Sequence, residues 1–517
     1  MTFEIVFVLL SLLGMVAALI ADKMRPGMIL FSVVVLFLCA GILTPKEMLE
    51  GFSNKGMITV ALLFLVSEGI RQSGTLGQVI KKLLPQGKTT VFKAQLRILP
   101  SVAFISAFLN NTPVVVIFAP IIKHWAKSVN LPATKFLIPL SYVTILGGIC
   151  TLIGTSTNLV VHGMILEAGF EGFSMFELGK VGIFIAIAGI IYIFLFSKRL
   201  LPDARPDTAV PDEEVEEGEK LHRVEAVLGA RFPGINKKLK DFNFQRHYGA
   251  EVKEIKTRNG QRFVTNLDDV VLHEGDTLVV MADDTFIPTW GESSVFVLLT
   301  NGNEPDTSGK KKRWFALLLL VLMIVGATVG ELPITKEMFP DIKLDMFFFV
   351  SITTIIMAWT NLFPARKYTK YISWDILITI ACAFAISKAM VNSGVADSVA
   401  KFIIRLSDDY GPHVLLAMVF IITNLFTELI TNNAAAALAF PLALSISAQL
   451  GVSPTPFFVV ICMAASASFS TPIGYQTNLI VQGIGNYKFT DFVRIGLPLN
   501  IITFLISIIL IPLIWNF

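Results

Sequence analysis

The sequence predicts a polytopic α-helical membrane protein: two inverted repeats of five spans plus a re-entrant hairpin each, with a small cytoplasmic α/β domain between them. Three observations predict it. The 517 residues are 54% hydrophobic and only 16% charged, with a mean hydropathy of +0.69, too apolar for a soluble chain of this length. Thr151-Leu-Ile-Gly-Thr-Ser-Thr-Asn-Leu-Val-Val-His-Gly163 is echoed 320 residues on by Thr471-Pro-Ile-Gly-Tyr-Gln-Thr-Asn-Leu-Ile-Val-Gln-Gly483. Between the two, the apolar pattern gives way to an acidic stretch and then to short alternating runs.

Ten apolar runs are long enough to span: near 3–21, 26–44, 56–70, 137–150, 180–197, 314–330, 344–360, 373–391, 455–470 and 494–515. The first has no basic region ahead of it and no small-residue cleavage site, so it is expected as a helix and not as a signal peptide. Two further apolar pairs, near 98–123 and 413–448, are interrupted by Asn-rich dipeptides. They are expected as re-entrant hairpins, which lipid permits only where protein or water encloses the exposed backbone. Cys39, Cys150, Cys382 and Cys462 stand singly in apolar runs and are expected as small core residues. The net charge of +3 says little; the distribution of Lys and Arg says more. Lys23 and Arg25, the stretch from Arg71 to Arg97, Lys198 and Arg199, Lys310 to Arg313, and Arg366, Lys367 and Lys370 fall on one face if spans alternate. That face is expected to be cytoplasmic in the cell membrane, with both termini outside.

The 320-residue offset also relates Phe52-Ser53 through Ser73-Gly74 to Ile372-Ser373 through Ser393-Gly394. Five spans per half is an odd number, so the halves insert oppositely, and such repeats place substrate near the midplane at discontinuous helices. Helix N-termini there offer free N–H groups and positive dipole ends, so anions are the expected guests. The expected organisation is membrane repeat 1 over 1–200, an acidic linker over 201–217, a soluble domain over 218–295, and membrane repeat 2 over 310–517. The linker, Pro202 to Gly218, is acidic and free of aromatics, hence solvated. Beyond it Glu251–Lys256 and Thr277–Met281 read as strands and Asn259-Gly260 as a hairpin turn.

Within the soluble segment, Phe232-Pro-Gly-Ile-Asn-Lys-Lys-Leu239, Tyr248-Gly249 and Leu272-His-Glu-Gly-Asp-Thr-Leu-Val-Val280 resemble the TrkA-C lobe of potassium-conductance regulators. The glycine-rich nucleotide lobe that often precedes it is absent from this stretch, so no NAD site is expected. The resemblance implies a cytoplasmic lobe that either regulates transport, through a small-molecule or nucleotide effector, or serves only as a dimerisation clip.

The first hairpin breaks at Asn110-Asn111-Thr112-Pro113, since Pro113 cannot donate a helical hydrogen bond. The second breaks at Thr431-Asn432-Asn433, ahead of the small residues Ala434 to Ala437, which let helices pack closely. An Asn amide presents both a carbonyl oxygen and an NH₂ group, so it can face a cation and an anion. Asn111 precedes Asn158 by 47 residues and Asn432 precedes Asn478 by 46, so a tip and a break can converge in each half.

These motifs resemble those of the divalent anion:sodium symporters, whose hairpin tips carry Ser-Asn-Thr and whose broken helices follow at about this distance. Phe426-Thr-Glu-Leu-Ile-Thr-Asn-Asn-Ala is similar to that family's Thr-Glu-Phe-x-Ser-Asn-Thr-Ala. The resemblance implies a homodimer with a scaffold and a mobile transport domain, moving by an elevator-type motion, with Na⁺ as coupling ion. It implies one sodium site at Asn111 with Gly154, Thr155, Thr157 and Asn158, and a second at Asn432 with Gly474, Thr477 and Asn478. Substrate is implied between the tips, at Asn110, Asn111, Thr112, Thr431, Asn432 and Asn433. Here Asn replaces the first Ser, Thr the second and Asn the last Thr, so amides stand where hydroxyls usually meet a carboxylate. A compact tetrahedral divalent anion is therefore favoured. The family analogy tilts this to sulfate, because carriers with TrkA-C lobes include sulfate carriers.

Charged residues inside spans are costly and therefore of interest. Glu68 and Lys388 are equivalent in the two halves and opposite in charge, either pairing or reaching out from span ends. Glu428 either orders the second tip or serves as a coupling acid. His124 and His162 lack metal-ligand partners at suitable spacing and are expected as satisfied or interfacial residues. No nucleophile elbow, phosphate loop or His-Cys cluster is present, so neither enzymatic activity nor nucleic-acid binding is expected. Three rivals stay open: a dicarboxylate carrier of the same build, an effector-gated channel, and an efflux permease. No Thr-Val-Gly-Tyr-Gly filter run is present to favour the channel.

Overall fold

The computed structural model describes residues 3–21, 24–203, 222–229, 231–257, 261–283, 286–290, 295–300, 310–339, 341–406 and 411–517. The acidic linker from 204 on and the expected Asn259-Gly260 turn lie outside the described residues. Among those described, eight helices are long and apolar enough to cross a membrane, with four shorter apolar helices beside them. Their outward faces are apolar: Leu13, Leu195, Leu425, Leu505 and Leu513 are all more than half or about half exposed, as lipid-facing side chains are.

The runs read as spans near 137–150 and 455–470 are shorter as helices, Leu137–Gly148 and Thr455–Ser466. Each ends where an extended segment begins, and hydropathy does not register that end because the residues around it stay apolar. The two Asn-tipped pairs form longer helices than expected. Val91–Ser106 is followed by Asn111–Ser128, and Gly411–Leu429 by Asn432–Leu450. Both arms of the second pair are long and apolar enough to cross a membrane.

Matching devices recur at the 320-residue offset. Gly74 and Gly394 both take a left-handed conformation, φ 70° and 73°, where a side chain would be strained. Each ends a long helix, Lys55–Gln72 or Trp374–Asn392, and starts a short amphipathic one, Thr75–Leu83 or Val395–Leu406. The two halves pack on each other. The helix Asn111–Ser128 lies against Gln476–Gly485, and Asn432–Leu450 against Ser156–Glu167. Tyrosine hydroxyls staple the halves: Tyr142 donates to the Phe469 carbonyl at 2.5 Å, Tyr192 to Ile495 at 3.0 Å and Tyr487 to Thr134 at 2.5 Å. A buried carbonyl without a donor is costly, so each staple fixes a crossing between halves.

The segment between the two halves forms a five-stranded antiparallel sheet of order β3-β2-β4-β1-β5, with β1 His222–Leu228, β2 Glu251–Lys256, β3 Arg262–Phe263, β4 Thr277–Ala282 and β5 Phe296–Thr300. The strand β5 extends the sheet past residue 295, the boundary expected from sequence. Phe232, Phe242, Phe244, Tyr248, Leu278, Val280 and Phe296 form its core. Among the described residues, the sheet meets the membrane helices at Lys123 and at Leu479. Lys123 donates to both Glu225 carboxylate oxygens at 2.9 Å. The turn at Gly275 meets Leu479, and a Cβ on Gly483 would stand 2.5 Å from Thr277 Oγ1. Burial opposes the Glu225 charge, but Lys123 and Lys256 overcome it and hold the carboxyl down at about 2.

The paired polar breaks

The first tip begins the helix Asn111–Ser128, and Pro113 occupies its first turn, where a missing N–H costs nothing. The chain break therefore falls over residues 107–110, ending on the first residue of the polar motif and ahead of Pro113. The second tip is built alike, with Thr431 preceding the helix Asn432–Leu450. Beyond each pair, the chain leaves its half-helix at Gly148 or Ser466 and resumes helix at Ser156 or Gln476. Gly154 is fitted closely here: a Cβ would stand 2.5 Å from the Gly148 carbonyl. At Gly474 it would stand 2.0 Å from Ser468 Oγ.

The same hydrogen bonds recur in both halves. Ser106 Oγ donates to Asn111 Oδ1 and Thr427 Oγ1 to Asn432 Oδ1, each at 2.8 Å. Thr151 Oγ1 donates to the Ala107 carbonyl and Thr471 Oγ1 to that of Glu428. The Gly154 and Gly474 amides donate to those threonine hydroxyls at 3.2 Å. Asn158 Nδ2 donates to the Thr151 carbonyl at 2.9 Å, and Asn478 Nδ2 to that of Thr471 at 3.1 Å. Each bond joins a tip to its preceding helix, joins that helix end to a break, or closes a break on itself.

Tips and breaks also meet across the halves. Thr157 Oγ1 donates to Asn433 Oδ1 at 3.1 Å and Ser156 Oγ to the same atom at 3.4 Å. Thr112 Oγ1 donates to Gln476 Oε1 at 3.3 Å. Asn111 Nδ2 donates to the Tyr475 hydroxyl, which lies 3.1 Å from Thr155 Oγ1. The four helices thus begin around one polar centre, and none has a side-chain cap: Asn110, Thr155, Thr431 and Tyr475 all leave the first-turn N–H groups uncapped by their side chains. Three of those residues are of types that readily cap, yet Thr155 turns its hydroxyl to Tyr475 and Thr431 Oγ1 meets no partner. Uncapped N-termini present partial positive charge. Beside this centre a pocket is lined by Val60, Ser67, Phe108, Asn110, Ile153 and Ser156.

The two half-sites differ in saturation. Asn478 Oδ1 accepts from Ser141 Oγ at 2.7 Å, and Ser141 Oγ, its one hydrogen so used, lies 2.9 Å from the Thr477 hydroxyl, which can donate to it. Asn158 Oδ1 is fully buried with no hydrogen-bond partner. Thr431 Oγ1 is likewise buried without one. A buried oxygen lacking a donor fits a hard cation, which takes oxygen ligands. Glu428 orders the second break: its carboxylate accepts from the Ser470 and Thr471 amides at 2.9 Å each and from Asn500 Nδ2 at 2.7 Å.

Of the residues singled out from sequence, Asn111, Thr112, Thr155, Thr157, Asn158, Asn432, Asn433, Thr477 and Asn478 enter this hydrogen-bonded set. Asn110 and Thr431 stand at its edge as the residues before the tip helices, with Gly154 and Gly474 packed beneath. Sequence reasoning missed Tyr475, Ser141, Ser106 and Thr427. Glu68 is bound to Arg71 at 2.7 Å and Gln72 at 2.6 Å, not to Lys388. His162 is partly buried beside the loop residue Gly172, with its Nδ1 atom buried and unpartnered, where a satisfied or interfacial ring was expected. His124 is exposed. Cys39 is exposed too, although Cys382 and Cys462 are buried.

A family model described as a citrate transporter matches residues 16–438 and 334–516. An uncharacterized transporter of Synechocystis sp. is 30% identical over 94% of this chain and 93% of its own length. Sodium/sulfate cotransporter 2 of Chlamydomonas reinhardtii is 31% identical over 54% of this chain and 31% of its own. A sodium-dependent dicarboxylate transporter of Staphylococcus saprophyticus is 24% identical over 28% of each chain.

Proposed function

The chain belongs to the citrate transporter family and is a multi-pass anion transporter, and on that premise we propose that it carries a small divalent anion, sulfate, by symport with Na⁺. One observation carries the reading: two matching hydrogen-bonded circuits bring four uncapped helix N-termini to a single buried polar centre. In this reading one Na⁺ is held by Asn111 with Gly154, Thr155, Thr157 and Asn158, and a second by Asn432 with Gly474, Thr477 and Asn478. The anion lies between the tips, among Asn110, Asn111, Thr112, Thr431, Asn432 and Asn433.

The physical basis of coupling is charge. Without a cation, an arriving anion faces the lone pairs of Asn carbonyl oxygens as well as favourable N–H groups. Na⁺ occupies those oxygens, leaving the amide NH₂ groups, hydroxyls and helix dipoles for the anion. No Lys or Arg lies in either tip motif, so the positive charge must come from the ion. Dimerisation, an elevator-type movement of one domain against a scaffold, inverted repeats over 1–200 and 310–517, and termini outside the cell complete the proposal. The sheet domain over 218–295 is read as a cytoplasmic TrkA-C lobe that regulates transport, supported by its two contacts with helices leading to the site. A dicarboxylate substrate is the second reading, favoured by the name of the Staphylococcus saprophyticus relative. Uptake of radiolabelled sulfate and succinate into proteoliposomes, with and without a sodium gradient, separates them. Sodium-dependent sulfate uptake is expected, and no sodium-dependent flux of either anion would sink both.

A further inference from the structure

Tyr475 takes the place in the second break that Thr155 takes in the first, 320 residues apart, and the two side chains meet at 3.1 Å. Its phenol is 8% exposed. Its hydroxyl accepts from Asn111 Nδ2 of the first tip, and the Asn432 side chain of the second tip lies near enough to interact with it. One oxygen thus stands among both tips and the first break. A tyrosine hydroxyl has a single donor and can accept as well. With Asn111 donating to it, its own hydrogen is free to go to Thr155 or to a guest. The ring behind it, packed against the apolar core, spans from the second break to the first tip and the first break, a gap that the shorter threonine side chain would leave unfilled.

We propose that Tyr475 determines which anion the site accepts. The proposal rests on the anion-carrier reading above and names the substrate class more narrowly. A four-carbon dicarboxylate must place one carboxylate at each tip and run its carbon chain through the middle, where the ring stands. A compact tetrahedral oxyanion sits on one side of the ring and takes the Tyr475 hydroxyl hydrogen in place of Thr155. Tyr475 is therefore both the steric limit of the site and one of its donors.

The test is sodium-driven uptake of labelled sulfate and succinate by the full-length protein in proteoliposomes, comparing wild type with Tyr475→Phe and Tyr475→Thr. Tyr475→Phe keeps the ring, so the preference for sulfate over succinate is expected to persist while the sulfate KM rises roughly tenfold at little changed maximal rate. Tyr475→Thr gives the second break the residue of the first. It is expected to lower the ratio of sulfate to succinate kcat/KM by about tenfold or more. If Tyr475→Thr does not fold, Tyr475→Leu tests the volume alone and Tyr475→Phe still tests the hydroxyl. An unchanged ratio in the smaller variants, or a wild-type sulfate KM in Tyr475→Phe, overturns the proposal, as does a wild-type preference for succinate. Wild type without sodium-driven flux of either anion overturns the carrier reading itself; wild-type sulfate flux with indifferent variants overturns only the role of Tyr475.

Discussion

The two half-sites share their hydrogen-bond circuit but not their completeness. In the second, Asn478 has both ends of its amide engaged, by Ser141 and by the Ser468 and Thr471 carbonyls, and Glu428 ties the break to Asn500. In the first, Asn158 keeps one bond and leaves Oδ1 buried and bare, and Ala107 stands where Glu428 would. The contrast teaches that one chain can satisfy the break asparagine fully in one half and leave it with an unmet oxygen in the other. An unmet buried oxygen costs on the order of 1–3 kcal/mol, which a bound cation would return as binding energy.

Removing the extra support of the second half-site should have the largest effect. Glu428→Ala strands two backbone amides and the Asn500 amide, each an unmet buried donor. We expect a loss of about 3 kcal/mol or more of stability and no transport, read by thermal unfolding in detergent and by uptake. Glu428→Gln, which keeps one acceptor, should restore part of the stability. Next come the paired asparagines. Asn478→Ala should cost about 2 kcal/mol because Ser141 and two carbonyls lose a partner. Asn158→Ala should cost less stability yet raise the sodium concentration needed for half-maximal uptake about tenfold. If the two variants had equal stability and equal sodium dependence, the contrast would be broken. Smaller still, Ser141→Ala bares Asn478 Oδ1 and makes the second half-site resemble the first, at about 1 kcal/mol. It sharpens the comparison if sodium affinity changes without loss of fold.

The smallest effect on transport is expected at the sheet. Glu225 is held at about 2 against an ordinary 4.5, so its pairing with Lys123 stabilises docking above about pH 4.5 and is lost as pH falls towards 2. Limited proteolysis of the sheet domain should accelerate between pH 5 and pH 3. Lys123→Met should give fast cleavage already at pH 5, with only a modest change in transport.

Much of this arrangement is legible in sequence because it is periodic or local. Gly154 to Asn158 and Gly474 to Asn478 announce themselves by their shared spacing, and Asn111 and Asn432 by polar residues in apolar runs. Tyr475 escaped notice because a single aromatic beside a Gly reads as packing, and its role depends on Asn111, 364 residues away. Ser141 lies in a helix so apolar that its hydroxyl carries no pattern, and only the fold brings it to Asn478. Hydropathy also overran the half-helices at Gly148 and Ser466, since it weighs residues and not the backbone bonds they give up.

The central claim is that sodium completes the anion site, and the direction of flux tests it most directly. Proteoliposomes loaded with labelled sulfate and no sulfate gradient should accumulate sulfate when sodium is higher outside and lose it when sodium is higher inside. Sulfate movement that ignores the direction of the sodium gradient would contradict the account.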